Sequence, residues 1–128
     1  MARPRAKELT ERELEVMRVF WNRGELTPTE VRDELAQTGL DRAYTTIATL
    51  VRILTDKGFL EQLNTDGRSF RYRPLRTYEE VSGRLLGDLV ERVFGGSREQ
   101  LLLRLLDERK LTAKERSILE DILKEKRR

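Results

Sequence analysis

The stretch Ala43-Tyr44-Thr45-Thr46-Ile47-Ala48-Thr49-Leu50-Val51-Arg52-Ile53-Leu54-Thr55-Asp56-Lys57, stopped by Gly58, decides how the rest of the chain is read. Ile47, Leu50, Val51 and Leu54 recur at the i, i+3, i+4, i+7 spacing that gathers apolar side chains into one stripe of an α-helix. The opposite face carries Tyr44, Thr45, Ala48, Thr49 and Arg52, which are small or hydrogen-bonding groups with one cation. A helix with one buried stripe and one such face is equipped to touch something polar.

Working outward toward the C-terminus, Phe59-Leu60-Glu61-Gln62-Leu63 and Ser69-Phe70-Arg71-Tyr72-Arg73 are short runs of strand-like residues. The intervening Asn64-Thr65-Asp66-Gly67-Arg68 is rich in turn formers, and Pro74 closes the second run, so the segment predicts a hairpin. Alternation along the second strand points Phe70 and Tyr72 to one face and Arg71 and Arg73 to the other.

Toward the N-terminus the spacing predicts two helices, each opened by a capping box. In Thr10-Glu11-Arg12-Glu13 the threonine hydroxyl can accept from the Glu13 amide while Glu13 reaches back to the Thr10 amide. Leu14, Met17, Phe20 and Trp21 follow at helical spacing, flanked by Val16 and Val19, and Gly24 is a natural terminator. Thr27-Pro28-Thr29-Glu30 opens a second, shorter helix with proline at its first position, Val31 and Leu35 facing inward, and an end near Gly39.

Past the hairpin the chain reads as helical throughout. Thr77 to Phe94 carries Val81, Leu85, Leu86, Leu89, Val90 and Val93 and ends at Gly95-Gly96. Ser97-Arg98-Glu99-Gln100 and Thr112-Ala113-Lys114-Glu115 are two further capping boxes, opening helices that carry Leu101 to Leu103, Leu105 and Leu106, and then Ile118, Leu119, Ile122 and Leu123.

A chain of 128 residues accommodates one domain or two small ones. Cysteine and histidine are both absent from the sequence, so a disulfide framework, a thiolate metal site and the commonest general base are excluded, and no cofactor is expected. No apolar run reaches the roughly 18 residues of a membrane span, and the first residues lack the apolar stretch of a signal peptide. The expectation is a soluble, cytoplasmic protein without membrane insertion. Net charge is only +3, but seven cations (Arg42, Arg52, Lys57, Arg68, Arg71, Arg73, Arg76) face three acids (Asp56, Glu61, Asp66) between residues 42 and 76, which concentrates positive charge there.

Three helices followed by a two-stranded hairpin describe a winged helix-turn-helix, in which the third helix enters the DNA major groove and the hairpin lies beside the backbone. The predicted fold is mainly α with a small β-hairpin wing: a winged-helix DNA-binding domain over residues 1–76 and a C-terminal helical dimerisation domain over 77–128. Thr45, Thr46 and Thr49 can donate to phosphates or base edges and offer methyls to thymine, while Arg52, Arg68 and Arg71 can neutralise phosphates. With Arg42 and Tyr44 they form the candidate DNA-binding set.

Taken singly, an outward threonine face and an arginine-bearing strand are also ordinary solvated surfaces. Their order and spacing together favour DNA over the competing reading, a winged helix that docks a protein partner. An enzyme is disfavoured, because pairs such as Glu79-Glu80 and Glu120-Asp121 are adjacent on a helix and do not face each other.

The leucine-rich C-terminal faces are too extensive for three helices to cover alone, so an isologous homodimer interface is expected from Leu85, Leu89, Val93, Leu102, Leu105, Leu106, Ile118, Leu119 and Ile122. The competing arrangement packs these helices back on the winged helix.

At this point the chain resembles the BlaI/MecI, or penicillinase-repressor, family. The resemblance lies in Leu9-Thr10-Glu11-Arg12-Glu13-Leu14-Glu15-Val16-Met17, the Trp21 to Gly24 helix end, Tyr44-Thr45-Thr46-Ile47-Ala48-Thr49-Leu50, Lys57-Gly58-Phe59-Leu60, Gly67-Arg68-Ser69-Phe70-Arg71-Tyr72-Arg73-Pro74 and Phe94-Gly95-Gly96-Ser97. It implies a homodimeric transcriptional repressor on a palindromic double-stranded DNA operator. It also implies a regulatory protease as partner, since relatives are commonly inactivated by cleavage in the dimerisation region, often at an Asn-Phe bond. The matching position here reads Arg104-Leu105, a departure that disfavours the same cleavage specificity. Copper-responsive relatives carry a C-terminal cysteine motif, which this cysteine-free chain lacks.

Overall fold

A computed structural model describes residues 8–63, 70–107 and 111–126. Helix α1 (Glu11–Arg23) starts where Thr10 Oγ1 accepts from the Glu13 amide and Glu13 Oε1 accepts from the Thr10 amide, at 3.2 and 2.8 Å. Gly24 ends it with φ of 90°, a conformation costly for a residue with a Cβ, and its amide donates to Phe20 O. Helix α2 (Pro28–Gln37) repeats the device with Thr27 and Glu30. Helix α3 (Tyr44–Asp56) is capped differently: Ala43 at its N-cap supplies no side-chain hydrogen bond, and its first turn contains no acid.

Strands β1 (Leu60–Leu63) and β2 (Arg71–Pro74) pair antiparallel with Leu60 opposite Pro74 and Leu63 opposite Arg71. Pro74, which has no amide to donate, occupies the last position of β2. A third backbone segment joins them. Leu26, between α1 and α2, exchanges both backbone hydrogen bonds with Tyr72 at 3.0 and 2.9 Å, extending the wing into the helical part of the fold.

The core is the convergence of the three helix stripes on the wing. Val16, Met17 and Phe20 of α1, Val31 and Leu35 of α2, Ile47, Val51 and Leu54 of α3, and Leu26 and Leu60 form one buried cluster. Leu50, Trp21, Val19, Phe59 and Tyr72 pack on its margin. Leu14, expected inside, is only half-buried, and the inward position one residue earlier belongs to Glu13 at 3% exposure. A carboxylate survives there because the Lys57 ammonium donates to both its oxygens at 2.9 and 3.0 Å. Phe70 does not share the fate of Tyr72. It precedes β2, lies beyond the last pair of the ladder and remains 52% exposed.

Packing divides the chain into one compact unit ending at Ser82 and another beginning at Gly83, inside helix α4 (Tyr78–Phe94). The expected boundary lay between residues 76 and 77. The first turn of α4 belongs to the first unit for three reasons: the Trp21 and Tyr78 rings meet edge to face at 5.5 Å, Trp21 Nε1 donates to Arg76 O, and Val81 is buried. Thr77 and Glu80 form an additional capping box at its start.

The second unit comprises the rest of α4, then α5 (Arg98–Asp107) and α6 (Ala113–Lys126). Ser97 Oγ accepts from the Gln100 amide, and Thr112 and Glu115 form a reciprocal box. Leu85, Leu89, Val93, Leu102, Leu105, Leu106, Ile118, Leu119 and Ile122 are all exposed, from 37% for Leu85 to 65% for Val93. Leu102, Leu105, Leu106, Ile118, Leu119 and Ile122 line an open groove between α5 and α6. Among the described residues no helix is long and apolar enough to cross a membrane.

Candidate nucleic-acid interface

The outward face of α3 follows from its period. Thr45, Thr49 and Arg52 recur at i, i+4 and i+7, opposite Ile47, Val51 and Leu54, and all three are exposed. Thr46 is exposed on the flank of that line and Ala48 is half-buried on the other. Asp56 ends the same line one turn beyond Arg52, placing a carboxylate at its C-terminal end. The N-cap residue Ala43 offers no side-chain hydrogen bond and the first turn holds no acid, so no carboxylate of that turn offsets the positive end of the helix dipole. Hydroxyls, methyls and one guanidinium along a single exposed line suit phosphate oxygens and base edges in a major groove.

Tyr44 belongs elsewhere. It shares the stripe spacing of Ile47 and Val51, stays 45% exposed because it begins the helix, and its hydroxyl acts on Tyr72. Burial first, and Tyr44 second, push the Tyr72 phenol above its ordinary pKa.

The cations of this region are largely engaged within the fold. Arg42 donates from Nε and Nη2 to both Glu15 oxygens at 3.0–3.2 Å, with both side chains about four-fifths buried. Arg71 Nε donates to Glu25 Oε1 at 3.0 Å, and its Nη2 reaches the Glu25 carbonyl and Glu30. Arg73 pairs with Glu61 across the hairpin at 2.7 Å, and Lys57 with Glu13. Arg52 and Arg76 form no ion pair among the described residues. Arg68 lies outside the described residues.

The positive excess counted along residues 42–76 is therefore smaller in space than in sequence. Its partners Glu13, Glu15, Glu25 and Glu30 all precede residue 42, where a local count does not see them. Nothing in a single sequence marks a pairing across 27 to 46 residues. Asp56, in contrast, was readable from the helix period alone.

A family model described as penicillinase repressor matches residues 9–125. The penicillinase repressor of Bacillus licheniformis is 31% identical over 121 residues, which cover 92% of this chain and 91% of that one. The methicillin resistance regulatory protein MecI of Staphylococcus aureus (strain N315) is 26% identical over 119 residues, covering 93% and 95%. Among solved structures, the DNA binding domain of the repressor BlaI superposes with a TM-score of 0.50 at 31% identity, over 62% of this chain and 93% of that domain. The helix caps, the α3 face and the wing thus occur in a sequence that matches one family almost from end to end, and the chain belongs to the penicillinase repressor family.

Proposed function

We propose that the protein is a transcriptional repressor that binds double-stranded operator DNA sequence-specifically, with α3 in the major groove and the β1–β2 wing beside the backbone. The carrying observation is the exposed line Thr45, Thr49, Arg52 with Thr46 on its flank, on a helix whose N-cap residue makes no side-chain cap hydrogen bond. The printed names of its relatives, a penicillinase repressor and the DNA binding domain of a repressor, support the same role. Repression is steric, by occupation of a promoter in the cytoplasm, and involves no catalytic step and no cofactor.

The repressor acts as a homodimer on a palindromic site. The apolar faces of α4, α5 and α6 support this, since a twofold interface covers the same patch on both copies and spaces two α3 helices about 34 Å apart, or a multiple of it, along the duplex. A regulatory protease acting at Arg104-Leu105 has less support, because that bond lies inside α5 and helical backbone must open before it is cut.

A gel-shift series on genomic fragments selected by the purified protein tests the role. Affinity is expected to fall steeply as salt rises, and to fall at fixed salt in Thr49→Ala and Arg52→Ala. Affinity that is flat in salt, or unchanged in both variants, favours a protein-docking winged helix instead.

A further inference from the structure

Helix α3 is gripped at both ends by α1. Arg42 lies two residues before its first residue and Lys57 immediately follows its last. Each places its charge on an α1 carboxylate: Arg42 on Glu15 in a three-bond pair, and Lys57 on Glu13 through both oxygens. Glu13 and Glu15 leave α1 about 200° apart, since each residue advances roughly 100° around the axis, so the two grips come from different sides. Lys57 also donates to Glu8 O, which ties the entry to α1 to the exit from α3. The apolar stripe between the grips is non-directional and tolerates small rolls of α3 on α1, whereas two charge-assisted pairs of fixed geometry do not.

Resting on the DNA-binding role proposed above, we propose that Arg42 and Glu15 form a positioning clamp that fixes the roll of α3 and so sets sequence discrimination, and that Arg42 is not a phosphate contact. Three observations carry this. The Arg42 guanidinium is mostly buried, its bidentate geometry is used by Glu15, and the pair anchors the turn from which Thr45 and Thr46 project. A cation whose charge is already matched in the free protein releases no counterion when DNA arrives.

The test compares Arg42→Gln, Arg52→Gln and the swapped pair Glu15→Arg/Arg42→Glu in the full-length chain, on selected operator and on random duplex over a salt series. Arg52→Gln serves as the phosphate-contact reference and should weaken both duplexes and lower the slope of log affinity against log salt by about 0.9. Arg42→Gln should weaken operator binding on the order of tenfold, the size expected for coupling between contacting residues, with random-duplex affinity and salt slope unchanged. The swapped pair should recover most of the discrimination.

Equal weakening on both duplexes with a slope reduced by about 0.9 in Arg42→Gln overturns the proposal. Amide exchange of the free protein separates failure of the clamp from failure of the DNA-binding role. If the wild type binds no DNA but Arg42→Gln speeds exchange of the Ile47 amide, bonded to Ala43 O at 3.1 Å, the clamp stands and the role falls. Unchanged exchange at Ile47 overturns the clamp.

Discussion

Up to Ser82 the protein buries its apolar stripes against one another; from Gly83 onward, Val90 apart, it leaves most of them exposed. Phe20, Met17, Ile47 and Leu54 are wholly enclosed, whereas Leu102, Leu103, Leu105 and Val93 are more than half exposed. Local structure does not explain the difference, since both regions contain amphipathic helices opened by hydroxyl caps. What separates them is closure. Three helices and a wing form a complete core, while α5 and α6 enclose only one side of a groove. An exposed patch of that kind fits the proposed homodimer, in which a second copy covers it.

The largest expected effect breaks the closed side of this contrast. Phe20→Ala removes a fully buried ring from the first unit and should cost about 3–5 kcal/mol, read as a lower urea midpoint of that unit. The open side should respond in association instead. Leu105→Asp, at a residue 60% exposed in one chain, should leave the first unit's urea midpoint unchanged. It should raise the dimer dissociation constant in sedimentation by about ten- to a hundredfold, the worth of one leucine buried at an interface. An unchanged dissociation constant would remove Leu105 from the interface.

Much of this contrast was legible in the sequence. Helix starts were readable because a hydroxyl followed three residues later by Glu or Gln satisfies end amides in a way that needs no tertiary context. The stripe of α3 was readable because four apolar residues share one face. Thr77 and Glu80 carry the same signature, and their box opens α4.

What escaped depended on distant partners. The Leu26 bridge to Tyr72 rests on one residue in a connection, too little for an alternation signal. Glu13 reads as a surface acid until Lys57, 44 residues later, arrives to neutralise it. Separations of 27 to 46 residues likewise hid the Arg42 and Arg71 pairs, which is why the local charge count overstated the free positive surface.

Smaller effects sharpen the comparison. Thr27→Ala deletes half of the α2 box and should cost the first unit about 1 kcal/mol in the same urea experiment. Thr112→Ala in α6 should cost a similar amount but appear mainly as weaker association, since the α6 apolar face is exposed in one chain and is covered only in the proposed dimer.

The smallest effect is the pH dependence of Tyr72. Its folded pKa lies above the ordinary value near 10, so the protonated phenol's contribution is complete below that value and is lost as pH rises through the folded pKa. Alkaline urea titrations should show stability falling above about pH 10, with a shallower fall in Tyr72→Phe.

The most direct test of a dimeric repressor is the stoichiometry of the full-length chain on a selected operator duplex, measured by sedimentation in the presence and absence of DNA. Two chains per duplex, with Leu105→Asp reduced to weak single-chain binding, is the predicted result. A stable complex of one chain per duplex, or no complex at low salt, would contradict it.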